Sequence, residues 1–175
     1  MLRAKMGHLV AFAALISGAT WHDQPVDRID RAILRLLQSD GRLTNVELAE
    51  RVRLSPSPCL RRVRALERAG VIRGYHADID PAAVGRGFEV TVHVELTLKD
   101  RATVEAFEAG IAGLDEVVEC QRMFGLPDYI VRVAVADQAA YEAFYMSKLA
   151  ELPGLARVNS QFTMKMVKRG GALPL

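Results

Sequence analysis

Cysteine is scarce in this chain: Cys59 and Cys120 are the two present among 175 residues. Their positions fit no disulfide framework and no zinc-ligand spacing. We therefore expect small, buried or half-buried thiols in a reducing compartment. The four histidines, His8, His22, His76 and His93, are scattered and form no pair at metal-ligand spacing, so no metal centre is expected. Aromatic residues make up 6% of the chain, yet half of all residues are hydrophobic. That is enough apolar side chain for a buried core and excludes a disordered or fibrous polypeptide. Long hydrophobic runs are missing too. Leu9–Ile16 falls well short of the ~20 apolar residues that span a bilayer, and no membrane partner is expected. Finally, no nucleophile sits beside a base and no glycine-rich phosphate loop is present. Asp128-Tyr129 alone is a weak constellation, and we read the chain as not an enzyme.

Excess charge of one sign is also absent overall, with a formal net charge of +2. The average hides an asymmetry. Residues 26–75 hold 11 basic and 6 acidic side chains, whereas residues 76–175 hold 10 and 14. Two domains with different partners follow from this division. A small basic domain is the electrostatic footprint of a nucleic-acid binder, although a solvated basic face would give the same balance.

The basic stretch reads as three helices. In Asp27–Ser39, Ile29, Ile33, Leu36 and Leu37 recur at helical spacing, and Asp40-Gly41 ends the helix with a glycine suited to a left-handed cap. A short second helix runs from about Asn45 to Val52, capped by Thr44 or Asn45, with Val46, Leu48, Ala49 and Val52 inward. Ser-Pro occurs twice just beyond, at Ser55-Pro56 and Ser57-Pro58. Serine can cap a helix and proline is tolerated at its first position, so either pair can begin the third helix; Ser57 is the preferred cap. That helix continues to about Ala69 and stops at Gly70. Leu60, Val63 and Leu66 form its apolar stripe, while Arg61 and Arg68 lie opposite, with Arg64 at the border and Arg62 flanking. A tight link between the second and third helices makes this a helix-turn-helix whose third helix enters a major groove. Arg61, Arg62 and Arg64 are then expected on bases or phosphates, because a guanidinium can fork onto a guanine or a phosphate. Ser55 and Ser57 are expected on phosphate, with Pro58, Arg68 and Arg53 completing the surface. Paired in a dimer, two such helices would read half-sites one helical turn apart on double-stranded DNA.

Residues 1–25 fit this reading poorly. Arg3 and Lys5 precede the apolar run, and Ser17, Gly18 and Ala19 follow it, a pattern resembling a secretory signal. Export makes no sense for a DNA-binding protein. We expect either a loosely packed arm or a start codon upstream of the true one, with translation beginning near Met6 or Val26. The intact mass of the protein made from its native locus decides between them, and a full-length species excludes the second.

Residues 76–87 read as a connector, preceded by a short strand at Val71–Tyr75. From Phe88 the period changes from helix to strand. Phe88, Val90, Val92, Val94, Leu96 and Leu98 alternate with polar residues, the pattern of a strand buried on one side. A helix at about Arg101–Gly113, strands at Val117–Phe124 and Tyr129–Ala136, a helix at Gln138–Leu152 and a strand at Ala156–Lys168 follow. The order β-α-β-β-α-β is the ferredoxin-like arrangement, here over residues 88–170 with a tail at 171–175. Both helices would cover one sheet face. The other face mixes Thr, His and Gln with apolar residues, which implies packing against further copies of the chain.

Three segments carry a resemblance to a known family: IDRAILRLLQSDGRLTNVELAERV (29–52), LSPSPCLRRVRALERAGVIRGY (54–75) and FGLPDYIVRV (124–133). Over roughly residues 26–170 the chain resembles the Lrp/AsnC (feast/famine) transcriptional regulators. The resemblance implies an α+β chain with an N-terminal winged-type helix-turn-helix and a C-terminal ferredoxin-like effector and oligomerisation domain. It also implies a cytoplasmic, nucleoid-associated homo-oligomer, dimers assembling to an octamer, with an amino acid as effector and no other cofactor. The effector would lie near the turn Gly125, Leu126, Pro127, Asp128 and Tyr129, with Gln138, Gln161 and Thr163 lining the same region. The chemistry agrees: Gly125 permits close backbone approach, and Asp128 can accept hydrogen bonds from an α-ammonium group. A plain hairpin turn is the alternative for the same residues. One departure stands out, since the family usually has glycine where this chain has Arg53. A left-handed backbone there would cost a non-glycine residue ~1–2 kcal/mol. An architectural DNA-binding protein that needs no effector shares every DNA feature and remains the competing reading.

Overall fold

The computed structural model describes residues 26–168 and 170–175; the expectations for residues 1–25 lie outside them. The chain divides into two compact units at His76/Ala77, and Gly170–Leu175 belong to the first unit.

In the first unit, α1 spans Arg28–Ser39. Asp27 caps it, taking the Asp30 N–H while the Asp30 carboxylate takes the Asp27 N–H, a reciprocal arrangement that satisfies two orphan donors. Thr44 and Glu47 cap α2, Asn45–Arg51, in the same way. The third helix, α3, runs Pro56–Arg68 with Ser55 as its cap, so the helix starts one Ser-Pro pair earlier than preferred from sequence. Pro56 takes the first helical position, where a missing N–H costs nothing, and Pro58 is still within the first turn. Ile33, Leu48, Ala49, Cys59 and Leu66 form the buried centre, with Val63 and Ile72 packed around it. Val46 is turned out, at 53% exposure, because the inward arc of so short a helix is filled by Leu48 and Ala49.

Two helix ends in this unit share one geometry. After α3, Gly70 is left-handed (φ 69°), its N–H reaches the Glu67 carbonyl at 3.0 Å, and the Val71 N–H reaches Leu66 at 2.9 Å. After α2, Arg53 is left-handed (φ 57°), its N–H reaches Glu50 at 3.2 Å, and the Leu54 N–H reaches Ala49 at 2.9 Å. Both are Schellman ends, one built on glycine and one on arginine. The strain anticipated at Arg53 is therefore present. Gly41, by contrast, is not among the positive-φ glycines, because α1 ends on an extended Asp40 and needs no left-handed residue. No strand forms at Val71–Tyr75, where the Val71 and Ile72 N–H groups are spent on Leu66. The tail folds back onto α1. Gln38 reads the Leu173 main chain twice, accepting from its N–H at 2.6 Å and donating to its carbonyl at 3.3 Å, and Arg35 Nε donates to the Leu175 carbonyl at 2.6 Å.

We expect Arg53→Gly to stabilise the protein by about 0.5–1 kcal/mol. The relief of left-handed strain exceeds the extra freedom glycine gives the unfolded chain. Thermal unfolding measures this; a lower melting temperature for the variant would contradict it.

The second unit carries β1 (Phe88–Leu96), α4 (Arg101–Ala112), β2 (Val117–Arg122), β3 (Tyr129–Val135), α5 (Gln138–Ser147) and β4 (Leu155–Phe162). The sheet is antiparallel in the order β2-β3-β1-β4. Val90, Val92, Val94 and Leu96 of β1 meet Tyr129, Val131, Val133 and Val135 of β3 under Val104, Phe107 and Ile111 of α4 and Tyr141 and Phe144 of α5. Several boundaries differ from the sequence reading, and β2 ends at Arg122 rather than Phe124. Beyond Leu96, Leu98 is 63% exposed, so β1 is shorter than its alternation. The second helix breaks at Lys148 into a separate turn, Leu149–Glu151, that buries Leu149. And β4 ends at Phe162, opposite Val90, followed by one bond from the Thr163 N–H to the Glu89 carbonyl at 3.3 Å. The alternation through Met164 and Met166 continues, but in this register β1 offers only Phe88 opposite Met164 and nothing beyond it, so the ladder runs out.

Candidate functional site

Helix α3 presents two different surfaces. Inward are Cys59, fully buried, Leu66 and the partly buried Val63. Burial pushes the Cys59 thiol up, which keeps it protonated and inert, whereas Cys120 on β2 is exposed and not half-buried as anticipated. Leu60 faces outward, contrary to its place on the anticipated apolar stripe, because Cys59 fills the inward position one residue earlier. It lines a shallow hollow of about 240 Å³ with Ser57, Arg61, Arg64 and Arg68. The steps 57, 61, 64 and 68 are four, three and four residues, which stack on one helical face. Three guanidinium groups thus line a strip about 10 Å long at 1.5 Å per residue.

Arg62 is placed differently from its neighbours. Its Nη1 lies 2.7 Å from Asp27 Oδ2 and 2.9 Å from Asp30 Oδ1, so it clamps α3 to the N-terminus of α1. The Asp30 N–H and then Arg62 hold the Asp27 carboxyl below its usual range. A folded-state value below the unfolded one stabilises above about pH 4 and is lost as pH falls. Ser55 is exposed and makes no capping bond with its side chain, and Pro58 is half-buried. Asn45 Nδ2 donates to the Pro56 carbonyl at 2.9 Å, fixing the start of α3 against α2. Arg53 is exposed on the link between them.

In the second unit the turn between β2 and β3 closes a cavity of about 220 Å³ lined by Leu96, Lys99, Val104, Arg122, Met123, Phe124, Gly125, Asp128 and Tyr129. Asp128 is its centre, only 9% exposed. Oδ2 accepts the Leu96 N–H at 2.9 Å, and Oδ1 lies 2.6 Å from Lys99 Nζ. Burial pushes the Asp128 carboxyl up, but Lys99 and the Leu96 N–H more than offset this and leave it below the usual range. The acid is ionised at neutral pH. Tyr129 donates to Glu108 at 2.8 Å; burial, and then this bond, push its phenol well up, so it stays protonated. Arg122 lies 3.6 Å from the same Glu108. Gly125 is left-handed (φ 124°) with nothing within 4 Å of an added Cβ. Backbone conformation, not close packing, requires glycine there. Leu126 is exposed, at 73%, and Pro127 half-buried.

The structure does not gather the remaining expected effector residues. Asp128 and Tyr129 lie at the Val94–Leu96 end of β1, while Gln161 pairs with Thr91 and the Thr163 N–H reaches Glu89. At about 3.3 Å per residue these stand roughly 10 and 17 Å along the strand from Val94. Gln138 follows β3 beyond Val135, which pairs with Phe88, again at the far end. The sequence reading missed Lys99, Arg122 and the apolar wall of Leu96, Val104 and Met123. The lysine, three residues beyond a strand end, carried no motif to mark it.

Residues 26–73 match a family described as winged helix-turn-helix DNA-binding, and residues 89–173 match the Lrp/AsnC ligand binding domain. The leucine-responsive regulatory protein of Salmonella typhimurium is 41% identical over 148 residues, 85% of this chain and 90% of that protein. The chain belongs to the Lrp/AsnC family. The Escherichia coli K12 leucine-responsive regulatory protein is 40% identical over the same length. Among solved structures, a Neisseria meningitidis transcriptional regulator in complex with L-Met superposes with a TM-score of 0.81 at 39% identity, covering 86% of this chain and 97% of that one. An AsnC family regulator from Agrobacterium tumefaciens gives 0.79 at 40% identity, covering 85% and 96%. This Lrp/AsnC chain is accordingly a DNA-binding transcriptional regulator with a small-molecule ligand domain. Among the described residues no helix is long and apolar enough to cross a membrane, and no cluster of three or more potential metal ligands occurs.

Proposed function

We propose that this regulator binds specific double-stranded DNA through the α3 strip and that an α-amino acid in the Asp128 cavity alters its DNA affinity or assembly. Ser55, Ser57, Arg61, Arg64 and Arg68 make the DNA contacts, and Arg53 adds a cation at the turn. Arg62 serves by holding α3 on α1. The observation that carries the effector reading is one nearly buried carboxylate beside two cations and an apolar wall. Asp128 suits an α-ammonium, Arg122 suits a carboxylate, and Leu96, Val104 and Met123 suit an apolar side chain. The L-Met complex of the Neisseria relative supports an amino acid in this domain. The outer sheet face, where apolar Ile130 lies opposite His93, supports self-association of dimers, up to an octamer, and the setting is cytoplasmic and nucleoid-associated. No step here is catalytic.

Fluorescence anisotropy of the protein on its own upstream DNA, at one fixed salt concentration, against twenty amino acids tests this reading. A shift with one or a few of them is expected. Tight binding with no shift would favour an architectural protein that needs no effector.

A further inference from the structure

Asp128 has two carboxylate oxygens, and both are engaged within this chain. Oδ2 is spent on the buried Leu96 N–H at 2.9 Å, which ties the turn to the end of β1. Oδ1 is held by Lys99 Nζ at 2.6 Å. The one carboxylate oxygen open to an incoming cation is thus already covered by a cation of the same chain. Lys99 is poorly committed to that position. Its side chain is 60% exposed while the Asp128 side chain is 12% exposed, and it comes from the loop between β1 and α4. An ion pair with one end in water contributes little and exchanges readily.

We propose that Lys99 is a built-in competitor for the effector's ammonium group and sets the effector concentration at which the protein responds. This rests on the reading of the Asp128 cavity as the amino-acid site. Binding is then an exchange: the ligand ammonium takes Oδ1, and the lysine ammonium swings into solvent on its flexible stem. The number of charges paired with Asp128 is the same before and after, so the swap proceeds without leaving a buried carboxylate bare. Such a bare carboxylate would be costly. A regulator of this design stays empty until the amino acid is abundant, because each binding event must first break a contact made at very high local concentration.

Calorimetric titration of the full chain with each of the twenty α-amino acids, for the wild type, Lys99→Met and Lys99→Arg, tests this. Lys99→Met keeps the stem and removes the charge at an exposed position, while the Leu96 N–H still holds the Asp128 carboxylate; a thermal melt reads any loss of stability from the freed oxygen. The expected result is three- to tenfold tighter binding to Lys99→Met, the span of an exposed or half-exposed ion pair, with Lys99→Arg near wild type. The N-acetylated form of the same amino acid brings no ammonium and gains nothing from the substitution. Binding to Lys99→Met but not to the wild type also supports the proposal. Unchanged or weaker binding to Lys99→Met overturns it and makes Lys99 a bystander or a carboxylate ligand, with the cavity still the effector site. Binding of no amino acid to any of the three proteins removes the cavity reading itself, and the competitor with it.

Discussion

Arg61→Ala should weaken binding to the operator by about 1–3 kcal/mol and relax preference at one base-pair position. Arg68→Ala should weaken binding to all sequences alike and lower the salt slope by about 1. The difference follows from position along α3. The helix begins at Pro56, and a recognition helix enters the groove by its N-terminal residues. Arg61 is in the second turn, whereas Arg68 is about 10 Å further along the axis at 1.5 Å per residue. A major groove about 12 Å wide puts the first near base edges and the second near the phosphate wall. Arg64, on the same face between them, should show intermediate behaviour. Arg62→Ala supplies the control. Its guanidinium is spent on Asp27 and Asp30, so the melting temperature should fall while operator preference is unchanged. Anisotropy on a panel of single-base operator variants at several salt concentrations separates these outcomes. Equal loss on every variant for Arg61→Ala would remove it from the base-reading set.

The fate of these arginines shows what periodicity can and cannot give. Helix, turn and strand order followed from the sequence because each rests on local pattern: the helical spacing of Ile29, Ile33, Leu36 and Leu37, the Thr44 or Asn45 cap, the Ser-Pro start, the strict alternation of β1. The strain at Arg53 was anticipated from the family resemblance, which puts glycine at that position, and the structure adds the reason: a Schellman end requires a left-handed residue whatever occupies it. Arg62 was not legible, because its partners Asp27 and Asp30 lie more than thirty residues away, and adjacent arginines look alike until the helices pack. The end of β4 was hidden in the same way: its alternation ran on, and only the position of Phe88 on the neighbouring strand decided where pairing stopped. In the Asp128 cavity, the turn carrying Asp128 had a sequence signature. Lys99 and Arg122 had none, being brought to it by the β1–β3 and β2–β3 registers. Gln138, Gln161 and Thr163 were grouped with the turn by likeness, and the registers put them at the other end of the sheet.

Asp128 offers the sharpest separation of structure from response. In Asp128→Ala the Leu96 N–H loses its buried acceptor, which costs about 1–3 kcal/mol, and the end of β1 keeps only the main-chain bond from the Asp128 N–H to the Val94 carbonyl. The melting temperature of the ligand domain should fall by several degrees, and the effector response should disappear. Asp128→Asn separates the two effects. Its side-chain carbonyl can still accept the Leu96 N–H, so most of the stability returns. Its neutral amide cannot balance a ligand ammonium, so effector affinity should still fall at least about tenfold, the worth of one charge-assisted contact. DNA affinity without effector should be unchanged in both variants, because the helix-turn-helix unit has its own core around Ile33, Leu48 and Cys59. The pH dependence has a definite sign. The Asp128 carboxyl lies below the ordinary range, so its contribution to stability holds above the unfolded value of about 4 and is lost as pH falls. Asp128 therefore keeps one charge from pH 5 to 8 and should impose no titration on effector binding in that window. Anisotropy with and without the active amino acid, run beside thermal melts of the same samples, reads every one of these outcomes. A full effector response in Asp128→Asn would show that the ammonium group is held elsewhere.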